Sequence, residues 1–195
     1  MSKEAYHEYF QGYMEVMEED KKGTERIKRV YVADFYQAEL SDREWRCSKV
    51  ICLICWLAVL PLFVVSARQN LPCNTTLYAG VTQSFTVLPL LLWSFTVGEY
   101  LLSKRNLTIG KFPAVHDAMI KRSIACAVFI GLCTAAVVYG MIAGGDTEIG
   151  KGVWVIVSYL ICIVLCLFTG ILENRRVYVR VENQTEVPED SVMIR

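Results

Sequence analysis

Four long apolar stretches constrain the fold of this chain more than any other feature. They are nearly free of charged residues and cover residues 47–66, 78–102, 124–143 and 153–172. A helix of about 20 residues crosses the ~30 Å hydrocarbon core of a bilayer. Since lipid offers no hydrogen bonds to the backbone, stretches of this length are expected to be helices. The sequence therefore predicts an all-α, multi-pass integral membrane protein, a four-transmembrane-helix bundle built from two hairpins.

These spans divide the chain into three regions. A polar N-terminal arm occupies residues 1–46, the transmembrane domain residues 47–172, and a tail residues 173–195. Lys and Arg total 20, as do Asp and Glu, so the net charge gives no reason to expect a nucleic-acid partner. The lipid bilayer is the first partner that the sequence predicts.

The basic residues near the span ends predict the orientation. Eleven lie before the first span, between spans two and three, or in the tail, whereas the other two loops hold only Arg68 and Lys151. Lys and Arg are concentrated in cytoplasmic loops of membrane proteins. We therefore expect both termini and the central loop in the cytoplasm, with the protein in the plasma membrane.

The N-terminal arm contains a helix-like apolar pattern. Tyr6, Phe10, Tyr13, Met14 and Met17 recur at helical spacing, and glutamates occupy the other faces. The arm is net acidic, which argues against a helix held on anionic lipid. We expect a cytoplasmic amphipathic helix that docks on protein.

Short segments of the polar regions alternate as strands do. Residues 29–32 (RVYV) recur word for word at residues 176–179, and residues 107–112 form a shorter extended candidate. Some of these segments are predicted to pair as a small juxtamembrane β element. The alternative is that they are linkers whose sequences match by coincidence.

Spans three and four carry stripes of small residues that predict helix packing. Gly131 and Gly140 belong to such stripes on span three, and span four repeats the pattern every four residues at Ser158, Cys162, Cys166 and Gly170. Small residues let helix backbones approach closely in lipid. We expect spans three and four to pack on each other; the alternative is homodimerisation through one stripe.

Span two carries the polar residues that would serve transport. Glu99 is the only acidic residue inside the predicted spans, and Thr86 and Thr96 fall near one helical face. Charges inside a membrane often mark transport pathways. Hydroxyl groups in membrane helices more commonly bond to their own backbone or to neighbouring helices.

Enzymatic motifs are lacking from the sequence. Cys52 and Cys55 form a CxxC pair, but the pair lies inside a predicted helix, where free cysteines behave as small hydrophobic residues. No phosphate-binding loop or metal-ligand spacing occurs. Asn74 begins an acceptor pattern for glycosylation, and similar patterns at Asn106 and Asn183 lie on the predicted cytoplasmic side. We expect no enzymatic activity, cofactor or metal.

Residues 29–36, 42–45 and 107–111, together with the span pattern, resemble uncharacterised four-span integral membrane proteins of bacteria. This resemblance implies an architecture and no activity. Because the polar mass is predicted to be cytoplasmic, we expect a non-enzymatic accessory or scaffold protein that recruits a protein partner there. The alternative is a small oligomeric channel or carrier that uses the polar face of span two.

Overall fold

The computed structural model describes residues 12–19, 25–144, 149–183 and 192–193. They form two compact units. A helical unit comprises residues 41–103 and 115–175, and a β unit is assembled from the described parts of residues 1–40, 104–114 and 176–195. The β unit thus joins three regions that are far apart in the sequence.

Four long helices make up the helical unit: α1 (Asp42–Ala67), α2 (Leu77–Leu102), α3 (Ala118–Gly144) and α4 (Ile149–Asn174). A π-helical turn, Pro113–Asp117, precedes α3. The most apolar window of each helix has a mean hydropathy between 1.5 and 2.8. All four are long and apolar enough to cross a membrane. This confirms the predicted number, length and apolar character of the helices.

Local sequence signals explain where the first two helices begin. The Ser41 hydroxyl accepts a hydrogen bond from the Glu44 amide, and the Glu44 carboxylate accepts one from the Ser41 amide. This reciprocal capping box satisfies amides that the first turn leaves without helical partners. Thr76 caps α2 in the simpler way, by accepting from the Ala79 amide.

The helices pack through a common interior. Each helix contacts the next along the chain, and α1 also contacts α4. The α3–α4 contact is the most extensive and the α1–α2 contact the least. Interior side chains with almost no exposure come from all four helices: Val59, Trp93, Ile130, Val137, Val155 and Tyr159. Large apolar side chains such as Phe85 and Phe95 face outward, as expected for a surface in contact with lipid.

The β unit contains two three-stranded antiparallel sheets. In the first, β1 (Tyr13–Glu19) lies between β2 (Glu25–Tyr31) and β6 (Val192–Met193). In the second, β3 (Phe35–Ala38) lies between β4 (Asn106–Thr108) and β5 (Tyr178–Val181). Small sheets therefore exist, as predicted, but the two RVYV segments belong to different sheets and do not pair with each other.

The predicted amphipathic helix is wrong over Tyr13–Glu19, which is a strand. β1 pairs along its whole length with β2, where Tyr13 packs edge-on against Tyr31 and Arg29 donates to Glu15 at 3.0 Å. Cross-strand contacts of this kind override a helical pattern that has no packing partner of its own. Tyr6 and Phe10 lie outside the described residues.

Candidate functional site

The predicted polar face of α2 is buried, but it does not include Glu99. Thr86 and Thr96 have no exposed surface, and Trp93 and Tyr100 are buried on the same face. Glu99 is exposed on a different side of the helix. The structure therefore separates the carboxylate from the two threonines with which a polar pathway would be built.

Both threonines are engaged in hydrogen bonds within the helical unit. Thr86 donates to the Thr82 carbonyl at 2.7 Å and lies 3.1 Å from the Cys133 sulfur. Thr96 donates to the Leu92 carbonyl and accepts from Arg122 Nη1 at 2.6 Å. Arg122 is one of the basic residues counted between spans two and three, and it lies on α3 and reaches α2. The contacts of Thr86 with Cys133 and of Thr96 with Arg122 join α2 to α3.

The small residues of α3 and α4 differ in what surrounds them. A Cβ at Gly170 would meet the Ser123 side chain and approach the Ile120 carbonyl, so α3 and α4 come close there. A Cβ at Gly140 would meet Cys73, in the connection between α1 and α2. A Cβ at Gly131 would meet nothing within 4 Å. Of these three glycines, Gly170 alone marks a close approach of α3 and α4.

The remaining members of the α4 stripe are buried and face more than one helix. Ser158 donates to the Trp154 carbonyl of its own helix. The Cys162 thiol lies 3.7 Å from the Val59 carbonyl of α1, so the stripe also serves the α1–α4 contact. Cys166 is completely buried. Among the described residues, no group of three or more His, Cys, Asp or Glu side chains is arranged to hold a metal ion.

A buried ionisable pair lies at the end of α4. The Glu173 side chain is 2% exposed, and its Oε1 lies 3.1 Å from Nδ1 of His116, in the turn before α3. The sequence-based span ended at residue 172, so Glu173 was missed. Its spacing offered a signal, because Cys166, Gly170 and Glu173 follow one another on one helical face.

Asn74 organises the opposite end of the helical unit. Its amide nitrogen donates to the carbonyls of Ser66, Ala67 and Gln69, which caps the carboxyl end of α1. Its side-chain oxygen accepts from Gln83 Nε2. With 5% of its surface exposed, Asn74 is in a poor position to accept a glycan.

In the β unit, partly buried aromatic side chains contact one another across chain segments. Phe112 stacks on Tyr36 and packs edge-on against Tyr178, which links three chain segments. The Tyr31 hydroxyl donates to the Asp34 carbonyl at 2.7 Å and accepts from the Ile109 amide at 3.0 Å. Burial raises the pKa of Tyr31, although the bond from Ile109 opposes the shift.

One face at the edge of the second sheet presents a row of valines. Val177, Val179 and Val181 alternate along β5 and the residue before it, with 59%, 45% and 37% of their surfaces exposed. The intervening side chains of Tyr178 and Arg180 contact Phe112 and Asp34. An exposed apolar row at a sheet edge is a common feature of protein-binding surfaces. We call these three residues the valine row.

Comparisons with known proteins bring no function to this chain. No family model matches it, no curated protein matches it and no solved structure matches it. The function must therefore be argued from the residues and contacts described above.

Proposed function

We propose that this protein is an integral membrane protein with four crossings and both termini in the cytoplasm. If each helix crosses once, the start of α1, the α2–α3 connection and the end of α4 all emerge on one side. Those are the regions that supply the three segments of the β unit. The basic residues favour the cytoplasm for that side.

Epitope accessibility tests this orientation. Tags added before Met1 and after Arg195 should react with antibody only in permeabilised cells, whereas a tag at Asp146 should react in intact cells. Reaction of either terminal tag in intact cells would contradict the proposal.

The function that we propose is recruitment of a cytoplasmic protein partner by the β unit, without enzymatic activity. The observation that carries the proposal is the assembly of the three polar regions into one folded unit that presents the valine row. Three separate linkers would not need to fold together. A folded unit on a membrane anchor, with exposed apolar side chains at a sheet edge, is suited to holding a protein at the membrane surface.

A channel or carrier on α2 is the alternative, and the contacts favour it less. Thr86 and Thr96 already bond to main-chain carbonyls, and Arg122 occupies the space beside Thr96. Glu99 lies outside this interior group. A pathway on this face would need these bonds to be exchanged during transport.

Affinity capture with matched surface variants tests recruitment. Val179→Lys places a charge in the valine row, and Ile27→Lys makes the same change on β2, at a residue that is 62% exposed. These substitutions are preferable to deleting residues 2–23, because that deletion would remove β1 and leave β2 without its partner.

We expect a protein captured from crosslinked membranes with the wild type and with Ile27→Lys, but lost with Val179→Lys. Equal capture by all three forms would contradict recruitment through the valine row. Recovery of only self-crosslinked chains would favour the oligomeric channel or carrier.

A further inference from the structure

A groove on the outer surface of α2 contains the exposed carboxylate of Glu99. Leu91, Ser94, Phe95, Gly98, Glu99 and Leu102 line this groove, whose volume is about 390 Å³. Three of its side chains are large and apolar: Leu91, Phe95 and Leu102 are 52%, 69% and 88% exposed. It therefore opens onto the surface that lipid would cover.

Neighbouring basic side chains are committed elsewhere. Lys49 donates to the carbonyls of Leu101 and Ser103, at the carboxyl end of α2. Arg122 donates through Nη1 to Thr96 and to the Leu92 carbonyl. Within the described residues, Glu99 forms no hydrogen bond or ion pair. Neither of these two side chains therefore pairs with Glu99, which leaves the carboxylate available to a cation from outside the chain.

The depth of Glu99 identifies a source of that cation. It lies three residues before the end of α2, which is ~4.5 Å along the helix axis. This places it near the boundary between the hydrocarbon and the lipid headgroups. An unpaired carboxylate in this region is costly, and ionisable residues within membranes are normally paired.

We propose that this groove binds an aminophospholipid of the phosphatidylethanolamine class. An acyl chain lies over Leu91, Phe95 and Leu102, and the primary ammonium donates to Glu99. Ser94 also lines the groove, and its hydroxyl accepts a hydrogen bond from Trp56 of α1. Arg122 lies beside the preceding turn of α2, where its remaining N–H groups suit the lipid phosphate.

The groove chemistry distinguishes this lipid from its close relatives. A choline headgroup carries the same charge but has no N–H to donate to Glu99. A glycerol headgroup has no cation, and its lipid carries a net negative charge that the carboxylate repels. Of these three headgroups, ethanolamine alone supplies both a positive charge and N–H groups to Glu99.

Native mass spectrometry of the purified full-length protein tests the proposal. Phosphatidylethanolamine, phosphatidylcholine and phosphatidylglycerol with identical acyl chains are titrated separately. We expect one phosphatidylethanolamine to bind the wild type at least about tenfold more tightly than phosphatidylcholine, a difference of about 1.4 kcal/mol. Glu99→Gln should reduce this preference to less than twofold.

A groove-filling variant gives an independent readout. A Cβ at Gly98 meets nothing within 4 Å, so Gly98→Leu fills the groove without a clash at its Cβ. Gly131→Leu is the matched control, because Gly131 is equally open on another helix. Gly98→Leu should abolish selective lipid binding, and Gly131→Leu should retain it.

Four results would overturn the proposal. The first is an unchanged preference in Glu99→Gln, the second is a preference for phosphatidylglycerol, and the third is equal binding of all three lipids. The fourth is a dimer that forms without lipid and is lost in Glu99→Gln. The last result would assign the groove to a second copy of this chain. None of these outcomes bears on the valine row, so recruitment by the β unit is judged separately.

Discussion

Glu173 and His116 form a buried pair that ties the end of α4 to the turn before α3. Their atoms Oε1 and Nδ1 lie 3.1 Å apart, and the two side chains are 2% and 16% exposed. Breaking a buried pair from one side is more damaging than replacing the charge with a neutral group that keeps the hydrogen bond.

We therefore expect His116→Ala to lower the free energy of unfolding by about 3 kcal/mol. Glu173→Gln should cost only about 1 kcal/mol, because its amide still offers an oxygen to His116. Thermal unfolding in detergent measures both. A greater loss in Glu173→Gln than in His116→Ala would contradict this account of the pair.

The close approach of α3 and α4 at Gly170 predicts a position-dependent effect of leucine. Gly170→Leu should cost about 1–3 kcal/mol, since the new side chain meets Ser123 and Ile120. Gly131→Leu, where the space is open, should leave the melting temperature nearly unchanged. Similar losses in the two variants would mean that the helix contact does not depend on Gly170.

Asn74 is expected to be structural and unglycosylated. Glycosidase treatment of protein from eukaryotic cells should not change its mobility on a gel, because the amide already donates to three carbonyls. Asn74→Asp retains the acceptor for Gln83 but loses those donors, so we expect a loss of about 2 kcal/mol in thermal unfolding. A glycosidase-sensitive shift in the wild type would contradict this assignment.

The partly buried phenol of Tyr31 predicts alkaline sensitivity of the β unit. Its raised pKa means that folding favours the neutral form. That contribution is complete below the unfolded pKa of ~10 and is lost as the pH rises through the folded value.

Absorbance titration of tyrosinate tests this expectation. The difference between wild type and Tyr31→Phe should report a phenol that ionises above the usual range. Tyr36→Phe is the control, since Tyr36 belongs to the second sheet and its ring stacks on Phe112. A difference curve with its midpoint at or below ~10 would contradict the burial argument.

The four long apolar helices could be predicted from the sequence because hydropathy and length are local properties. Their polar ends could not be located in the same way. The hydropathy boundary stopped before the first charged residue, at 172, whereas α4 continues to Asn174 and Glu173 is paired with His116. The buried charge was therefore missed.

Helical periodicity placed Thr86 and Thr96 on a common face but could not decide on which side Glu99 lies. Glu99 follows Thr96 by three residues, about 60° around the helix from it. Such a residue lies at the margin of a face, and only contacts with α1 and α3 determine its exposure.

The strands depended on partners outside the short segment in which each strand lies. β3 is four residues long, and it is held by β4 from the central loop and β5 from the tail. β1 shows helical spacing when read alone, but pairing with β2 determines its structure. Neither relationship is visible in a short window of residues, so the β unit was foreseen only as an undefined β element.

The most direct measurement of recruitment is site-specific photo-crosslinking in native membranes. A photoreactive amino acid replaces Val179 in one form of the full-length protein and Ile27 in another, because both residues are exposed and apolar in the β unit. We predict a discrete adduct with a different protein from position 179 that is absent from position 27. Adducts at position 179 formed only with lipid, only with a second copy of the chain, or not at all would contradict the proposal that the valine row recruits a protein partner.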